Sequence, residues 1–130
     1  MNYDTINDIF LLRFPELDSL FKEKYEAWGE EDIPQHCFLG DVLNYYLTVL
    51  LRENTDKHQI KKIFSFYEEM AACDDVHVRD LLQVTLLEYL WDEKTVFTNA
   101  LNYMQPKTHV INDAIRSYIR EPVDEGEPIL

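Results

Sequence analysis

Glycine and proline are scarce in this 130-residue chain, which contains three of the first and five of the second. A sheet of many strands needs frequent turns, and these two residues supply most of the turn conformations. Three scattered glycines also cannot form a phosphate-binding loop, and no Gly-x-Ser-x-Gly motif marks a nucleophilic serine. The scarcity therefore disfavours an all-β fold, a nucleotide-binding loop and a serine hydrolase.

Cysteine is rarer still, because the chain holds only Cys37 and Cys73. Small secreted domains that depend on disulfides carry more cysteines at closer spacing. No basic segment followed by an apolar run opens the chain, and no window approaches the ~20 apolar residues of a membrane span. We therefore expect a cytoplasmic protein held together by a hydrophobic core.

Metal ligands and catalytic motifs are equally sparse. A structural zinc site needs four ligands, usually in close pairs, and this chain offers one pair at helical spacing, Cys73 and His77. No glutamate stands three residues before a histidine, so the Glu-x-x-His motif of di-iron bundles is absent. We therefore predict no catalytic residue, no cofactor and no metal.

Basic residues are outnumbered, since 25 acids stand against 12 lysines and arginines and the formal net charge is −13. A field of this sign repels DNA, RNA and anionic lipid. We therefore predict that neither a nucleic acid nor a membrane is a partner. Two explanations of the charge remain open, namely a basic partner protein and solubility alone.

Apolar residues recur at intervals of three and four along most of the chain. This period predicts an all-α fold of about seven helices joined by short links. Residues 55–91 and 93–120 are each predicted to form a helical hairpin, which favours an antiparallel bundle or a HEAT-like solenoid. The stretch 37–51 is apolar almost all round, which is typical of a central helix buried on most sides. Residues 1–120 are predicted to form one domain, followed by a loose acidic tail over 121–130.

Polar residues ahead of the apolar runs predict helix caps. Asp75 is expected to cap the helix that follows it, and Thr55 or Asp56 the helix before that one. Thr5 followed by Asp8 resembles a capping box at the first helix, with aspartate in place of glutamate.

The acids are unevenly spread along the chain. Residues 1–41 carry ten acids against three bases, and residues 68–93 carry eight against one. Several fall in predicted connectors, which cluster at the edges of a helical array where partners can reach them. We predict that a basic partner docks on nine of these carboxylates: Glu30, Glu31, Asp32, Glu68, Glu69, Asp74, Asp75, Asp92 and Glu93. The alternative is that several of them are helix caps and first-turn acids favoured by the helix dipole.

Residues 63–71 and 76–92 resemble a family of small, uncharacterised bacterial all-helical acidic proteins, and the resemblance extends over residues 55–104. Some members of that family look like immunity proteins of polymorphic toxins. The matching residues are mainly core Leu, Val and Phe with helix caps, so the resemblance assigns no functional residue. It implies a small helical protein that acts by binding another protein.

The sequence leaves three hypotheses about function. The first is a non-catalytic protein-binding module, and in its most specific form an immunity protein that neutralises a basic toxin by occlusion. The alternative is a scaffold or regulatory protein that forms a homo-oligomer, such as a homodimer. A second alternative is a metal-binding protein or enzyme that uses Cys73, His77 and nearby carboxylates.

Overall fold

The computed structural model describes residues 1–26 and 33–119, so the predicted tail at 121–130 lies outside the described residues. Every regular element within these ranges is a helix, which confirms the predicted all-α class. The described residues form seven helices: α1 at Ile6–Arg13, α2 at Asp18–Tyr25 after a 3₁₀ turn at Pro15–Leu17, α3 at 35–53, α4 at Lys57–Ala71, α5 at 76–90, α6 at Lys94–Leu101 and α7 at Pro106–Ile115. None of these seven is long and apolar enough to cross a bilayer.

Local signals set the ends of several helices. Asp56 and Asp75 cap α4 and α5, accepting hydrogen bonds from the backbone N–H groups of Gln59 (3.4 Å) and His77 (2.9 Å). Asp75 was predicted as the cap of α5, and Asp56 as one of two alternatives, with Thr55, for the cap of α4. An aspartate oxygen satisfies N–H groups that the first helical turn leaves without partners. Pro106 occupies the start of α7, where its missing N–H costs no hydrogen bond.

The predicted capping box at α1 is wrong. The Thr5 side chain makes no bond to the first turn of α1. It pairs with Asn2 instead: the Thr5 N–H donates to Asn2 Oδ1 (3.0 Å), and the Asn2 N–H donates to Thr5 Oγ1 (3.3 Å). This reciprocal pair has the pattern of a capping box displaced three residues towards the N-terminus, because a short asparagine side chain competes for local backbone donors.

Helix α3 lies at the centre of a bundle. It contacts α1, α2, α4, α5 and α6, whereas each repeat of a solenoid contacts only its neighbours along the chain. Helices α4 and α5 pack together as the predicted first hairpin. Helices α6 and α7 do not form the second one as predicted, since α6 packs mainly on α3, and α7 on α4 and α5. Each short helix buries its apolar face against a longer neighbour, which offers more surface than the other short helix would.

Aliphatic residues repeat at every fourth position along α3 and α5. All eight are fully buried: Leu39, Leu43, Leu47 and Leu51, then Val78, Leu82, Leu86 and Leu90. In a regular α-helix, positions four apart are rotated by about 40°, so such a row would drift away from the core. Each helix contains a π-helical segment, Gly40–Asn44 in α3 and Leu81–Leu87 in α5. The wider π turn takes up the drift and keeps both rows facing the core.

The two π segments meet where α3 crosses α5. A Cβ atom on Gly40 would lie 2.8 Å from Thr85 Cγ2, closer than packed carbon atoms approach. Asn44 Nδ2 donates to the Thr85 carbonyl (2.9 Å), and His36 Nδ1 is hydrogen-bonded to Thr85 Oγ1. Glycine at position 40 therefore leaves room for the Thr85 side chain against the backbone of α3.

Helix α3 is buried on most sides, as predicted, since the exposed residues over 37–51 are Cys37, Asp41 and Tyr45. It extends over 35–53, beyond the predicted 37–51. Phe38, Val42 and Thr48 are buried in addition to the row of leucines. The side next to α2, described below, is open to solvent chiefly at Tyr45.

Candidate functional site

Glu68, one of the nine acids predicted to bind a partner, caps the N-terminus of α7. Its carboxylate accepts hydrogen bonds from the backbone N–H groups of Lys107 (3.0 Å) and Thr108 (2.8 Å) and from the Thr108 hydroxyl (2.9 Å). Partial burial raises the pKa of Glu68, but these donors and the Lys107 charge outweigh it, so the pKa lies below its ordinary value. Glu68 therefore links α4 to α7 as a helix cap. Helix capping was the alternative to partner binding for these acids.

Three more of the predicted acids are engaged inside the molecule. Glu69 forms two hydrogen bonds with Arg13 (2.6 and 2.7 Å), and Glu93 forms two with Arg52 (3.0 and 2.5 Å). Asp75 accepts a backbone N–H from the N-terminal segment (2.9 Å) in addition to capping α5. These contacts tie α1 to α4, α3 to the start of α6, and the N-terminal segment to α5.

The remaining predicted acids do not form a single surface. Asp74 and Asp92 are exposed, and neither carboxylate forms a hydrogen bond or ion pair with another described residue. They flank opposite ends of α5, whose 15 residues separate its ends by about 22 Å. Glu30, Glu31 and Asp32 lie outside the described residues.

An open apolar trough of about 630 Å³ lies between α2 and α3, and we call it the α2–α3 groove. Its lining consists of Leu20, Glu23 and Lys24 from α2 and Asp41, Val42, Tyr45, Tyr46, Val49 and Leu50 from α3. Tyr45 is 70% exposed and Leu20 is 39% exposed, so large apolar side chains stand in contact with solvent here. The groove is the most apolar of the concavities described below.

The α3 wall of the groove follows the spacing of a helix face that packs against another helix. Its apolar members, at positions 42, 45, 46, 49 and 50, lie at i, i+3, i+4, i+7 and i+8. In the sequence, this row and the row of core leucines together give the pattern of one helix apolar all round. Two tyrosines within the row were the available signal, because tyrosine suits a half-exposed position with its ring packed and its hydroxyl in water.

Aromatic packing holds the two walls of the groove together. Phe21 and Tyr25 of α2 stack on Phe38 of α3, with ring centroids 4.5 and 5.7 Å apart. The Tyr25 hydroxyl lies 2.5 Å from the Cys37 carbonyl and 3.2 Å from an Asp41 carboxylate oxygen. Burial, and then the charge of Asp41, raise the pKa of Tyr25, so the phenol keeps its proton and remains a donor. The groove is therefore preformed on a packed base.

Tyr46 lines the groove and is half-buried, with Gln59 of α4 beside its hydroxyl. Burial raises the pKa of Tyr46, the contact with Gln59 lowers it by less, and the charges of Asp56 and Glu16 add smaller increases. Tyr46 therefore keeps its proton at neutral pH.

Two further concavities, of about 690 and 600 Å³, lie around α1 and α2. The smaller one shares Glu23 with the groove, and the larger one shares Leu11, Ile33 and Phe38 with the smaller. The three concavities together are lined by six carboxylates and two lysines: Asp4, Asp8, Asp18, Glu23, Glu26, Asp41, Lys22 and Lys24. We call this surface the acidic face. Lys22 is paired with Asp18 (2.9 Å), so part of its charge is already neutralised. The face is negative overall and has an apolar groove at one side.

The Cys73 and His77 pair does not share a helix. Cys73 follows the end of α4, where its thiol donates to the Met1 carbonyl (3.3 Å), and His77 lies in the first turn of α5. The ring of Tyr3 stands between the rings of His36 and His77, with centroids 6.1 and 5.8 Å away. Over residues 1–26 and 33–119, no group of three or more His, Cys, Asp or Glu side chains is placed to hold a metal ion.

Comparison with known families shows where this chain belongs. A family model described as a domain of unknown function, DUF7674, matches residues 7–120. The chain belongs to the DUF7674 family. The DUF7674 match includes both walls of the α2–α3 groove and extends past α7. Membership of an uncharacterised family is thus confirmed. No curated protein matches the chain, and no solved structure matches it.

Proposed function

We propose that this member of the DUF7674 family is a non-catalytic protein-binding module whose partner is a basic protein. The α2–α3 groove is the observation that carries the proposal, since exposed Tyr45 stands over an apolar trough beside an excess of carboxylates. Protein interfaces combine buried aromatic anchors with a polar rim, and tyrosine is among the residues that contribute most to affinity.

The apolar part of the groove supplies the affinity in this proposal. Tyr45, Leu20 and Val49 lose contact with water when a partner covers them, which is favourable at roughly 25 cal/mol per Å² of apolar surface. Phe38 and Tyr25 already hold the groove in shape, so little ordering entropy opposes binding.

The charge supplies orientation and speed. A net charge of −13 attracts a cationic partner from a distance, and the acidic face directs that attraction towards α1, α2 and α3. Charge complementarity raises association rates and disfavours wrong partners more than it raises affinity. A basic protein thereby meets the groove in a preferred orientation.

The specific form of the proposal is that the module neutralises a basic toxin by occluding its active site. A toxin that acts on nucleic acid presents cationic side chains to phosphate, and an acidic surface of this kind covers them. Occlusion needs a rigid, complementary surface and no chemistry from the module itself. The small size and the negative charge of the chain support this form.

Co-expression with the basic product of an adjacent gene tests the proposal. We expect a complex that survives gel filtration at about 50 mM salt, weakens at higher salt, and suppresses any toxic activity of the partner. Failure of a basic neighbour to form a complex at low salt contradicts it.

Two charge-matched variants locate the site within this experiment. Glu23→Gln with Asp41→Asn removes two negative charges beside the groove, and Asp74→Asn with Asp92→Asn removes two exposed ones elsewhere. We expect the first pair to weaken the complex at least about fivefold more than the second. Equal effects would mean that the net charge acts on the partner from no particular site. A larger effect of the second pair would favour the connector acids predicted from the sequence.

A further inference from the structure

The α3 wall of the groove is only partly covered, since Val42 is buried and Val49 is half-buried while Tyr45 is exposed. Val42, Tyr45 and Val49 repeat the spacing by which core helices pack, yet no described helix covers Tyr45. From position 42 to position 50 this row extends about 12 Å along the axis, or a little over two helical turns. An element of matching length and spacing would bury it.

The covering element must satisfy its own backbone hydrogen bonds. The described part of the chain contains no strand, so no sheet edge borders the groove to accept an extended segment through main-chain bonds. An extended segment would press unpaired N–H and C=O groups against the apolar floor, which is costly. An α-helix pairs these groups internally and offers a ridge of side chains to the groove.

Carboxylates at both ends of the row indicate the charge that the covering helix should carry on its two sides. Asp41 precedes Val42 on α3, and exposed Glu53 follows Leu50 by three residues, which keeps it on the same helical face. Glu23 adds a carboxylate on the α2 wall, beside Lys24. The flanks of the occupant therefore meet three carboxylates and one lysine.

We infer that the α2–α3 groove receives an amphipathic α-helix of the basic partner, about three turns long, with apolar side chains against Tyr45 and Tyr46 and lysines or arginines on its flanks. This inference rests on the proposed function and deepens it by naming the structure that the partner presents. A second copy of this chain fits the groove poorly, because it would bring one acidic face against another.

Synthetic peptides test the inference. The first probe is a helical peptide of about 14 residues with leucine and tryptophan at i, i+3, i+4 and i+7 and lysines on its flanks. The second is the same peptide with two central residues replaced by proline, which prevents a helix. The third replaces the lysines by glutamates. Binding is followed by fluorescence anisotropy at low salt and by amide chemical shifts of the ¹⁵N-labelled protein.

The expected result is binding of the first peptide, with shifts confined to α2 and α3, at least about tenfold weaker binding of the second, and none of the third. Tyr45→Glu should weaken the first peptide at least about tenfold, whereas Val110→Glu on α7 should change its affinity less than about twofold. Tyr45 and Val110 are both 70% exposed, so the two variants add the same charge at equally exposed positions.

The contradicting results separate this inference from the proposed function. Equal binding of the helical and proline peptides, or shifts away from the groove, would overturn the helical occupant and leave basic-partner binding standing. Failure of both lysine peptides, or tighter binding of the glutamate peptide, would count against both. Sedimentation that shows a dimer dissociated by Tyr45→Glu would assign the groove to a second copy and overturn the inference.

Discussion

At the scale of single residues, several acids that suggest a partner surface in the sequence serve the fold. Glu68 is the clearest example, because one carboxylate satisfies two backbone N–H groups and a hydroxyl at the start of α7. Its position in α4 gives no local hint of this role, since the capped helix begins 38 residues later in the chain. A cap formed across the fold is invisible to patterns that compare near neighbours.

Glu68→Gln should lower the free energy of unfolding by about 1 kcal/mol at neutral pH, because a neutral amide is a weaker acceptor at a helix N-terminus. The folded pKa of Glu68 lies below its ordinary value of 4.5. The contribution of the carboxylate is therefore complete above that pH and is lost as the pH falls through the lowered folded pKa. Urea unfolding between pH 7 and pH 3 measures the difference, which should shrink in acid.

Asp74→Asn is the control for that experiment, since Asp74 is exposed and bonds to no described residue. It should change stability by less than about 0.5 kcal/mol at either end of the pH range. A constant difference between Glu68→Gln and wild type from pH 7 to pH 3 would contradict the assigned role of the Glu68 charge.

The crossing of α3 and α5 depends on the missing side chain at Gly40. Gly40→Ala should lower stability by about 1 kcal/mol, because the steric cost against Thr85 Cγ2 exceeds the gain in helix propensity. Thr85→Ser removes that methyl group and keeps the hydroxyl that is bonded to His36. In the Thr85→Ser background, Gly40→Ala should be neutral or stabilising. Thermal unfolding of the four proteins measures the coupling, and equal effects in both backgrounds would refute the contact.

Local caps show how much individual residues reveal in the sequence. Asp75 was predicted and is observed as a cap, and Asp56 is the observed one of two predicted alternatives, because an aspartate acts on N–H groups two or three positions away. Thr5 was predicted wrongly because Asn2 offered its backbone a closer partner. Competition between two polar side chains for the same donors is not resolved by spacing alone.

At the scale of helices, the apolar spacing of three and four residues predicted where the helices lie. It did not predict which sides of α3 face the core and which face solvent. Rows of aliphatic residues at every fourth position in α3 and α5 are hard to reconcile with a regular α-helix, and the π segments explain them. Because the prediction assumed a regular helix, the row of core leucines and the row that lines the groove merged into one apolar cylinder. The sequence therefore did not predict the groove, although the apolar residues that line it were recognised as positions of a helix.

The two faces of α3 should respond differently to truncation. Leu43→Ala removes a fully buried side chain and should lower the free energy of unfolding by roughly 2–5 kcal/mol. Tyr45→Ala removes an exposed ring and should change stability by less than about 0.5 kcal/mol. Chemical denaturation of both variants measures this contrast. A large loss of stability in Tyr45→Ala would show that the tyrosine belongs to the core and would weaken its assignment as a binding residue.

At the scale of the whole molecule, the sequence predicted the fold class and an acidic zone over residues 1–41, but not which of its carboxylates line a concavity. The six acids around the three concavities lie on α1 to α3, just before α1 or just after α2. The connector acids that seemed most accessible in the sequence are instead largely occupied by Arg13, Arg52 and backbone donors. Which carboxylates remain available depends on tertiary contacts, and these have no local signature.

The charge should act on the rate of association. For the lysine-flanked helical peptide, raising the salt concentration from about 20 to 300 mM should lower the association rate constant at least about tenfold. The dissociation rate constant should change far less, because apolar contacts in the groove determine it. Stopped-flow fluorescence separates the two constants. An association rate that is independent of salt would argue that the negative charge serves solubility only.

The footprint of a co-expressed basic partner on this protein tests the central claim most directly. Hydrogen–deuterium exchange of the complex and of the free protein should show new protection in Asp18–Tyr25 and across 41–50, with none in Pro106–Ile115. Protection confined to α4, α6 or α7, with α2 and α3 unchanged, would contradict the assignment of the α2–α3 groove as the binding site.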